Sequence, residues 1–127
     1  MEETTLCGAS CYNQKYYFNP AFSELPQEAQ EELKILSVEF TEDAGGVFTI
    51  YFGEDACPHF SVRHVEGDQR FDEIGAELLI KRYQEENEEL MARLAVFYRI
   101  RLLGWKADAA LAGLPDVFDL PEAKDET

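Results

Sequence analysis

The sequence predicts an α+β domain in which a small antiparallel sheet packs against an N-terminal helix and a long C-terminal helix. Two segments rich in β-branched and aromatic residues lie between two segments whose apolar residues have helical spacing. The 127 residues, 46% of them hydrophobic, suffice for one core, since a chain of this size buries roughly two-thirds of its unfolded surface. We place the domain at residues 1–103 and predict an acidic, flexible tail at residues 104–127.

The N-terminal segment holds an aromatic block that ends at Asn19-Pro20. Its members are Tyr12, Tyr16, Tyr17, Phe18 and Phe22. Ala9, Tyr12 and Tyr16 fit helical spacing, whereas residues 15–18 also suit a short strand, so periodicity leaves both structures open.

A helix is predicted from Pro26 to about residue 42. Proline is tolerated in a first helical turn, and the glutamates that follow lie near the positive end of the helix dipole. One helical face is formed by Ala29, Leu33, Leu36 and Phe40. Gly45 is a natural C-terminal stop. Residues 35–41 also alternate as a strand would, which leaves a second interpretation for them.

Residues 47–52 and 60–65 predict a β-hairpin, because both are rich in strand-forming residues and the linker between them can turn the chain. Alternation places Phe48, Ile50 and Phe52 on one face, which we assign to the core. A lone hairpin is marginal in water, so a third strand is expected. Residues 15–18, residues 35–41 or a second subunit could supply it.

A long helix is predicted from Asp72 to about Leu103. Its repeating apolar positions are Ala76, Leu79, Tyr83, Leu90, Leu94 and Phe97. Residues 84–89 are almost wholly polar, so the helix either crosses solvent there or kinks. From Leu90 onward apolar residues surround the helix, which therefore needs cover from the hairpin, the first helix or a second copy of the chain. In a monomer, the N-terminal aromatic block would have to provide it.

Four phrases of the sequence carry a resemblance to a known family. They are Gln14-Lys-Tyr-Tyr-Phe-Asn-Pro-Ala-Phe, Leu25-Pro, Phe40-Thr-Glu-Asp-Ala-Gly-Gly and Phe71-Asp-Glu-Ile-Gly. Over residues 7–103 the chain resembles a family of small bacterial proteins known only as a domain of unknown function. The resemblance implies a cytoplasmic single-domain protein and brings no activity, cofactor or catalytic residue with it.

The charge excludes several classes of partner. With 26 acidic and 11 basic side chains, the net charge of −15 repels nucleic acid and anionic membranes, so we predict neither as a partner. No apolar run approaches the roughly 20 residues of a membrane span. The N-terminus lacks the features of a secretory signal, and three cysteines suit free thiols in a reducing compartment, which together predict a cytoplasmic protein.

Candidate chemistry is sparse. Cys7, Cys11, Cys57 and His59 are residue types that bind zinc, but Pro58 would strain joint ligation by its neighbours, so we predict neither a metal nor a cofactor. His64 is in phase with the apolar residues of the second strand, which favours a histidine at the edge of the core. No catalytic motif is present. A small enzyme or ligand-binding domain with a site at the sheet edge near His64 is the alternative.

The uneven charge distribution is the most useful functional signal. Residues 20–60 have a net charge of −8, whereas residues 90–106 have +4 and no acid. Because protein interfaces are enriched in arginine and aromatic residues, we predict a non-catalytic interaction or adaptor protein that binds a protein partner or forms a homodimer. The interaction candidates are Arg93, Phe97, Arg99, Ile100 and Arg101. An acidic mimic of nucleic acid is a further alternative.

Overall fold

The computed structural model describes residues 3–114. A four-stranded antiparallel sheet has the order β2-β1-β3-β4, and four α-helices accompany it. The strands are β1 (Thr4–Ser10), β2 (Lys15–Phe18), β3 (Val47–Phe52) and β4 (Pro58–Arg63). The α+β class and the hairpin of β3 and β4 are thus confirmed, and Phe48, Ile50 and Phe52 are fully buried as predicted.

Strand β1 occupies the middle of the sheet, and the sequence did not predict it. Cys7 pairs with Phe18 of β2 on one side and with Ile50 of β3 on the other. A register shift between Thr5 and Cys7 interrupts its alternation, and Leu6 and Cys7 are consecutive buried residues. The strand interpretation of residues 15–18 is correct, and no second subunit is needed to complete a sheet.

Helix α1 (Gln27–Ala44) agrees with the predicted first helix, so residues 35–41 are helical. It packs on the side of the sheet that carries the phenylalanines. The Phe40 ring lies 4.5 Å from the Phe48 ring, measured between centroids. Leu33 and Phe40 are fully buried. This layer of aromatic and aliphatic side chains between α1 and the sheet is the core.

The predicted long helix is interrupted, because its polar middle contains a break. Helix α2 (Glu73–Glu86) ends where the Asn87 side chain and backbone amide both donate to the Tyr83 carbonyl, at 2.8 and 3.0 Å. Helix α3 (Glu88–Phe97) follows and ends in a π-helical turn, Tyr98–Leu102. Among residues 3–114, no helix combines the length and apolarity that crossing a membrane requires.

Phe22 provides much of the cover that the apolar C-terminal segment needs. It lies in a short 3-10 helix, Pro20–Phe22, and its ring centroid is 6.2 Å from that of Phe97 and 6.1 Å from that of Tyr98. Leu94 is buried within the same single chain. Phe52 of the hairpin stacks on both Phe22 and Tyr98, at 5.5 and 4.0 Å between centroids, so the N-terminal aromatic block and the hairpin cover this segment together.

The structure describes the chain beyond the predicted boundary at residue 103, as far as residue 114. Helix α4 (Ala107–Ala110) follows the π-helical turn, and Ala110 is fully buried. The carbonyls of Ala110 and Ala112 accept hydrogen bonds from Arg99. The segment after residue 103 thus contacts the body through the acceptors of Arg99, although its residues up to 114 are exposed except for Ala110 and Leu114. The division at residue 103 stays a prediction from the sequence. The rest of the predicted tail, residues 115–127, lies outside the described residues.

Candidate functional site

A concave feature lies between α1 and the two helices α2 and α3, with a cavity volume of about 690 Å³. Its lining includes the apolar side chains of Ile35, Leu36 and Leu90, which we call its floor. Its rim carries the carboxylates of Glu32, Glu39, Asp43, Glu86 and Glu89. We call this feature the acidic groove.

The local sequence explains why the rim is acidic on both sides. On α1, Glu32, Glu39 and Asp43 recur at intervals of seven and four residues, which places them along one edge of the helix. Across the groove, the break at Asn87 brings the last turn of α2 and the first turn of α3 to the same opening. The polar run that interrupts the apolar stripe of the sequence is therefore the second wall of the groove.

Tyr83 connects the two walls. Its hydroxyl donates a hydrogen bond of 3.1 Å to Asp43 on α1. Burial and, after it, the hydrogen bond to the Asp43 carboxylate together raise the pKa of Tyr83 to about 12. The phenol therefore remains a donor at any physiological pH and holds α1 at a fixed distance from α2.

Cations within the groove neutralise only part of the rim. Arg93 pairs with Glu89 at 2.5 Å and Arg82 pairs with Glu86 at 3.6 Å, each within one helix. Within residues 3–114, no cation pairs with Glu32 on the α1 side, and the same is true of Glu39. Five carboxylates and two guanidinium groups line the groove, so it presents a net negative charge to an incoming group.

The structure separates the predicted interaction residues. Arg93 lies on the rim of the acidic groove. Arg101, in the π-helical turn after α3, forms an exposed ion pair with Glu24. Phe97 and Ile100 are half-buried, and Phe97 packs against the core. The five residues therefore do not form one continuous surface.

Arg99 is an interior residue with 4% exposure, and this corrects its selection as a surface candidate. Its Nε donates to the Ala56 carbonyl at 3.1 Å, and its Nη1 donates to the carbonyls of Ala110 and Ala112 at 2.9 and 3.0 Å. Its Nη2 donates to Cys57 Sγ at 3.1 Å. The guanidinium thus links the β3–β4 turn to the segment after α3.

The cysteines lie at three separate places, which contradicts the zinc hypothesis. Cys7 is fully buried beneath α1, where burial raises the pKa of its thiol to about 11 and the Ser37 hydroxyl lies 3.7 Å away. Cys11 Sγ accepts a hydrogen bond from the Gly46 amide, and Cys57 Sγ accepts one from Arg99. In the part of the chain that the structure describes, no three metal-binding side chains converge.

His64, the centre of the alternative site, is engaged on both ring nitrogens. Nε2 lies 3.0 Å from a Glu73 carboxylate oxygen and Nδ1 lies 3.0 Å from the Val65 carbonyl. Two acceptors favour the doubly protonated ring, and the bond to Glu73 raises the pKa of His64. The ring also stacks on Phe71 at 4.6 Å. This arrangement joins the end of β4 to the first turn of α2.

The fold and the groove together define a small α+β protein with an acid-rimmed cleft between helices. The sequence model of a family of unknown function (DUF6145) matches residues 3–106, and the chain therefore belongs to that family. The match confirms the resemblance inferred from the four phrases and extends slightly beyond residues 7–103. Comparison with curated proteins and with solved structures gives no match.

Proposed function

We propose that this protein is a non-catalytic interaction protein whose acidic groove binds a basic amphipathic helix of another protein. The observation that carries the proposal is the combination of an apolar floor with an acidic rim. An amphipathic helix places its apolar face in such a groove, and its flanking cations then meet the rim carboxylates. The same charge that repels nucleic acid attracts this class of partner.

The apolar part of the groove is accessible to a partner. Ile35 is 55% exposed although it lies on a helix whose neighbouring residues form the core. Covering such a side chain removes apolar surface from water, which stabilises a complex by about 25 cal/mol per Å². The half-buried Leu90 faces the groove from α3. Both residues offer positions against which leucines of a partner can pack.

The acidic rim sets the spacing expected in the partner. Glu32 and Glu39 are seven residues apart on α1, which corresponds to about 10.5 Å along the helix axis. A partner helix lying alongside α1 would match them with lysines or arginines two turns apart. We therefore expect a partner segment with cations at this interval and leucine-like residues between them.

The groove suits a basic partner, whereas the arginines of residues 90–106 would suit an acidic one. Arg93 and Arg101 already pair with carboxylates of the same chain, and Arg99 is buried. The unpaired charges at the groove are acidic instead. A cytoplasmic location, which would give access to soluble basic partners, stays a prediction from the sequence.

A titration of the full-length protein with a synthetic leucine–lysine peptide tests the proposal. The leucines of the peptide follow helical spacing, and amide chemical shifts report where it binds. We expect the largest shifts in α1 and at the α2–α3 break. The double variant Ile35→Ser/Glu39→Gln should bind about tenfold more weakly, because it loses an apolar contact and a rim charge.

The matched control changes the same residue types outside the groove. Ile74 and Glu77 are exposed on α2 and do not line the groove, so Ile74→Ser/Glu77→Gln should change the affinity less than about twofold. Equal losses in both variants would contradict the proposal. So would binding of a lysine-rich peptide without leucines at the same affinity, since charge alone would then suffice, as in a nucleic-acid mimic. If light scattering showed a mass that rises with concentration, and if Ile35→Ser abolished that rise, the groove would instead bind a second copy of the chain.

A further inference from the structure

Among residues 3–114, no helix covers the face of the sheet opposite α1, which we call the open face, and strand register defines its side chains. Phe48, Ile50 and Phe52 point toward the core, so the alternate residues of β3 lie on the open side. Cross-strand pairs extend this face to the neighbouring strands. Its first row contains Lys15, Ser10, Val47 and Arg63; its second contains Tyr17, Gly8, Thr49 and Ser61; its third contains Thr5, Tyr51 and His59.

This open face differs in charge from the rest of the chain. The four strands contain no aspartate or glutamate within the described residues, and they carry the cations Lys15 and Arg63, both exposed. Asp55 borders the face from the β3–β4 turn, where it contacts His59 at 3.0 Å. His59 lies two rows away from Lys15 and Arg63, and among residues 3–114 no carboxylate forms an ion pair with either cation. The face therefore suits a negatively charged ligand.

The composition of the open face is that of a contact surface. Tyr17 is 53% exposed, and the Tyr51 ring stacks on His59 with centroids 5.5 Å apart. Tyrosine and arginine are enriched in protein interfaces, whereas aspartate and glutamate are depleted. Gly8 lies between Tyr17 and Thr49 in the second row.

The size of the face favours a short segment over a folded partner. Four strands about 4.8 Å apart and three rows of side chains give an area of roughly 300–400 Å². A stable interface between folded proteins buries about 800 Å² on each partner. The open face provides about half of that, which corresponds to a peptide and not to a second copy of the chain.

We infer that the open face of the sheet binds a short extended segment of another protein, with two carboxylates four residues apart. Lys15 and Arg63 belong to the same row and are separated by three strand spacings, about 14 Å. In an extended chain, residues four apart lie on the same side and are about 13 Å apart. The two carboxylates thus reach both cations when the segment crosses the strands, and its central side chain lies over Ser10 and Val47.

A carboxylate segment fits this face better than a single-stranded nucleic acid. Exposed aromatic residues on a sheet can stack bases, but binding of nucleic acid also requires a groove of cations along the phosphates. The open face has two fixed cations at its ends, and the net charge of −15 repels a polyanion. Two separated carboxylates need no more than the two cations present.

The test uses the full chain and the blocked peptide Glu-Thr-Val-Thr-Glu as the probe. Amide chemical shifts should change in β1, β2, β3 and β4 and leave α1 and α3 unaffected. Lys15→Gln/Arg63→Gln should weaken binding about tenfold, because two ion pairs are lost. The control Lys34→Gln/Lys81→Gln removes two exposed helical cations, which gives the same net charge, and should change affinity less than about twofold. A peptide with adjacent glutamates should bind several-fold more weakly than the probe.

Each other result overturns the inference. Equal weakening by both double variants would show that only net charge matters. Larger strand shifts with oligothymidylate than with the peptide would assign the face to nucleic acid. Strand shifts caused by Asp116→Asn/Asp119→Asn without any peptide would assign it to residues 115–127 of the same chain. Because the acidic groove lies on the other side of the sheet, the leucine–lysine peptide tests that site independently.

Discussion

The two faces of β3 belong to two different regions of the molecule, the core and the open face of the sheet. Phe48 and Ile50 are fully buried between the sheet and the helices, whereas Thr49 and Tyr51 lie on the open face and are half-buried. The backbone and the strand are the same in both cases. Because successive side chains of a strand point to opposite faces, neighbouring residues of β3 can differ in role. Those on the buried side stabilise the fold, and those on the open side are the ones we propose for recognition. The variants below test this division.

Removal of a ring from the buried side should have the largest effect. Phe48 packs at 4.5 Å from Phe40 and 5.2 Å from Phe60, measured between ring centroids. Phe48→Ala leaves a cavity there and should lower the free energy of unfolding by about 3–5 kcal/mol. Urea denaturation measures the change. A loss below about 1 kcal/mol would mean that the two sides of β3 were assigned wrongly.

Loss of the buried guanidinium should rank second. Arg99→Met leaves carbonyls of Ala56 and Ala110 without their donor, so we expect a loss of about 2–3 kcal/mol. Arg101→Met is the control two residues along, because its exposed ion pair with Glu24 is worth about 0–1 kcal/mol. Similar losses in the two variants would show that Arg99 does not anchor the turn.

A pH-dependent effect at the boundary between the two regions should be smaller. The bond to Glu73 raises the pKa of His64, so protonation of His64 stabilises the fold. That stabilisation is fully present below the unfolded pKa, near 6.5, and disappears as the pH rises through the higher folded value. The melting temperature of wild type relative to His64→Gln should therefore be higher at about pH 5 than at about pH 9.

The Glu73→Gln variant provides the control, since it removes the carboxylate that favours the charged ring. The melting temperature of Glu73→Gln relative to the double variant Glu73→Gln/His64→Gln should depend less on pH than that of wild type relative to His64→Gln. If the melting temperature of wild type exceeded that of His64→Gln by more at high pH than at low pH, the raised pKa of His64 would be contradicted.

Substitution on the open side should have the smallest effect on stability. Thr49→Val keeps the β-branched shape and removes only a hydroxyl that faces away from the core, so unfolding should change by less than about 0.5 kcal/mol. Urea denaturation of Thr49→Val and of Phe48→Ala under the same conditions compares the two sides of β3 directly. A loss above about 1 kcal/mol would show that another part of the protein covers this side.

The elements that the sequence predicted are those with strong local signals. The apolar spacing of α1 and the β-branched and aromatic residues of β3 act over short distances, and they identified both elements correctly. Strand β1 was missed because its sequence contains Gly8 and small residues, and because its bulge places Leu6 and Cys7 on the buried side together. Propensity and alternation are both weakened there, so tertiary pairing decides the structure.

The candidate sites depended on contacts that sequence spacing does not reveal. Arg99 looked like one of several surface cations, but its acceptors lie in the β3–β4 turn and in the segment after α3. The acidic residues of α1 line a groove only because α2 and α3 place a second wall opposite them. The polar run at residues 84–89 was the available signal, since it already indicated a crossing or a kink.

The central position of β1 also constrains how the chain folds during synthesis. β1 is made first, yet its pairing partner β3 appears only after α1 has been translated, a few seconds later at about 5–20 residues per second. Until then, the edge of β1 that will meet β3 is an unpaired template for other chains. The bulge between Thr5 and Cys7 lies on that edge. A bulge disturbs the regular ladder, which is one of the ways in which natural proteins limit pairing at an exposed strand edge.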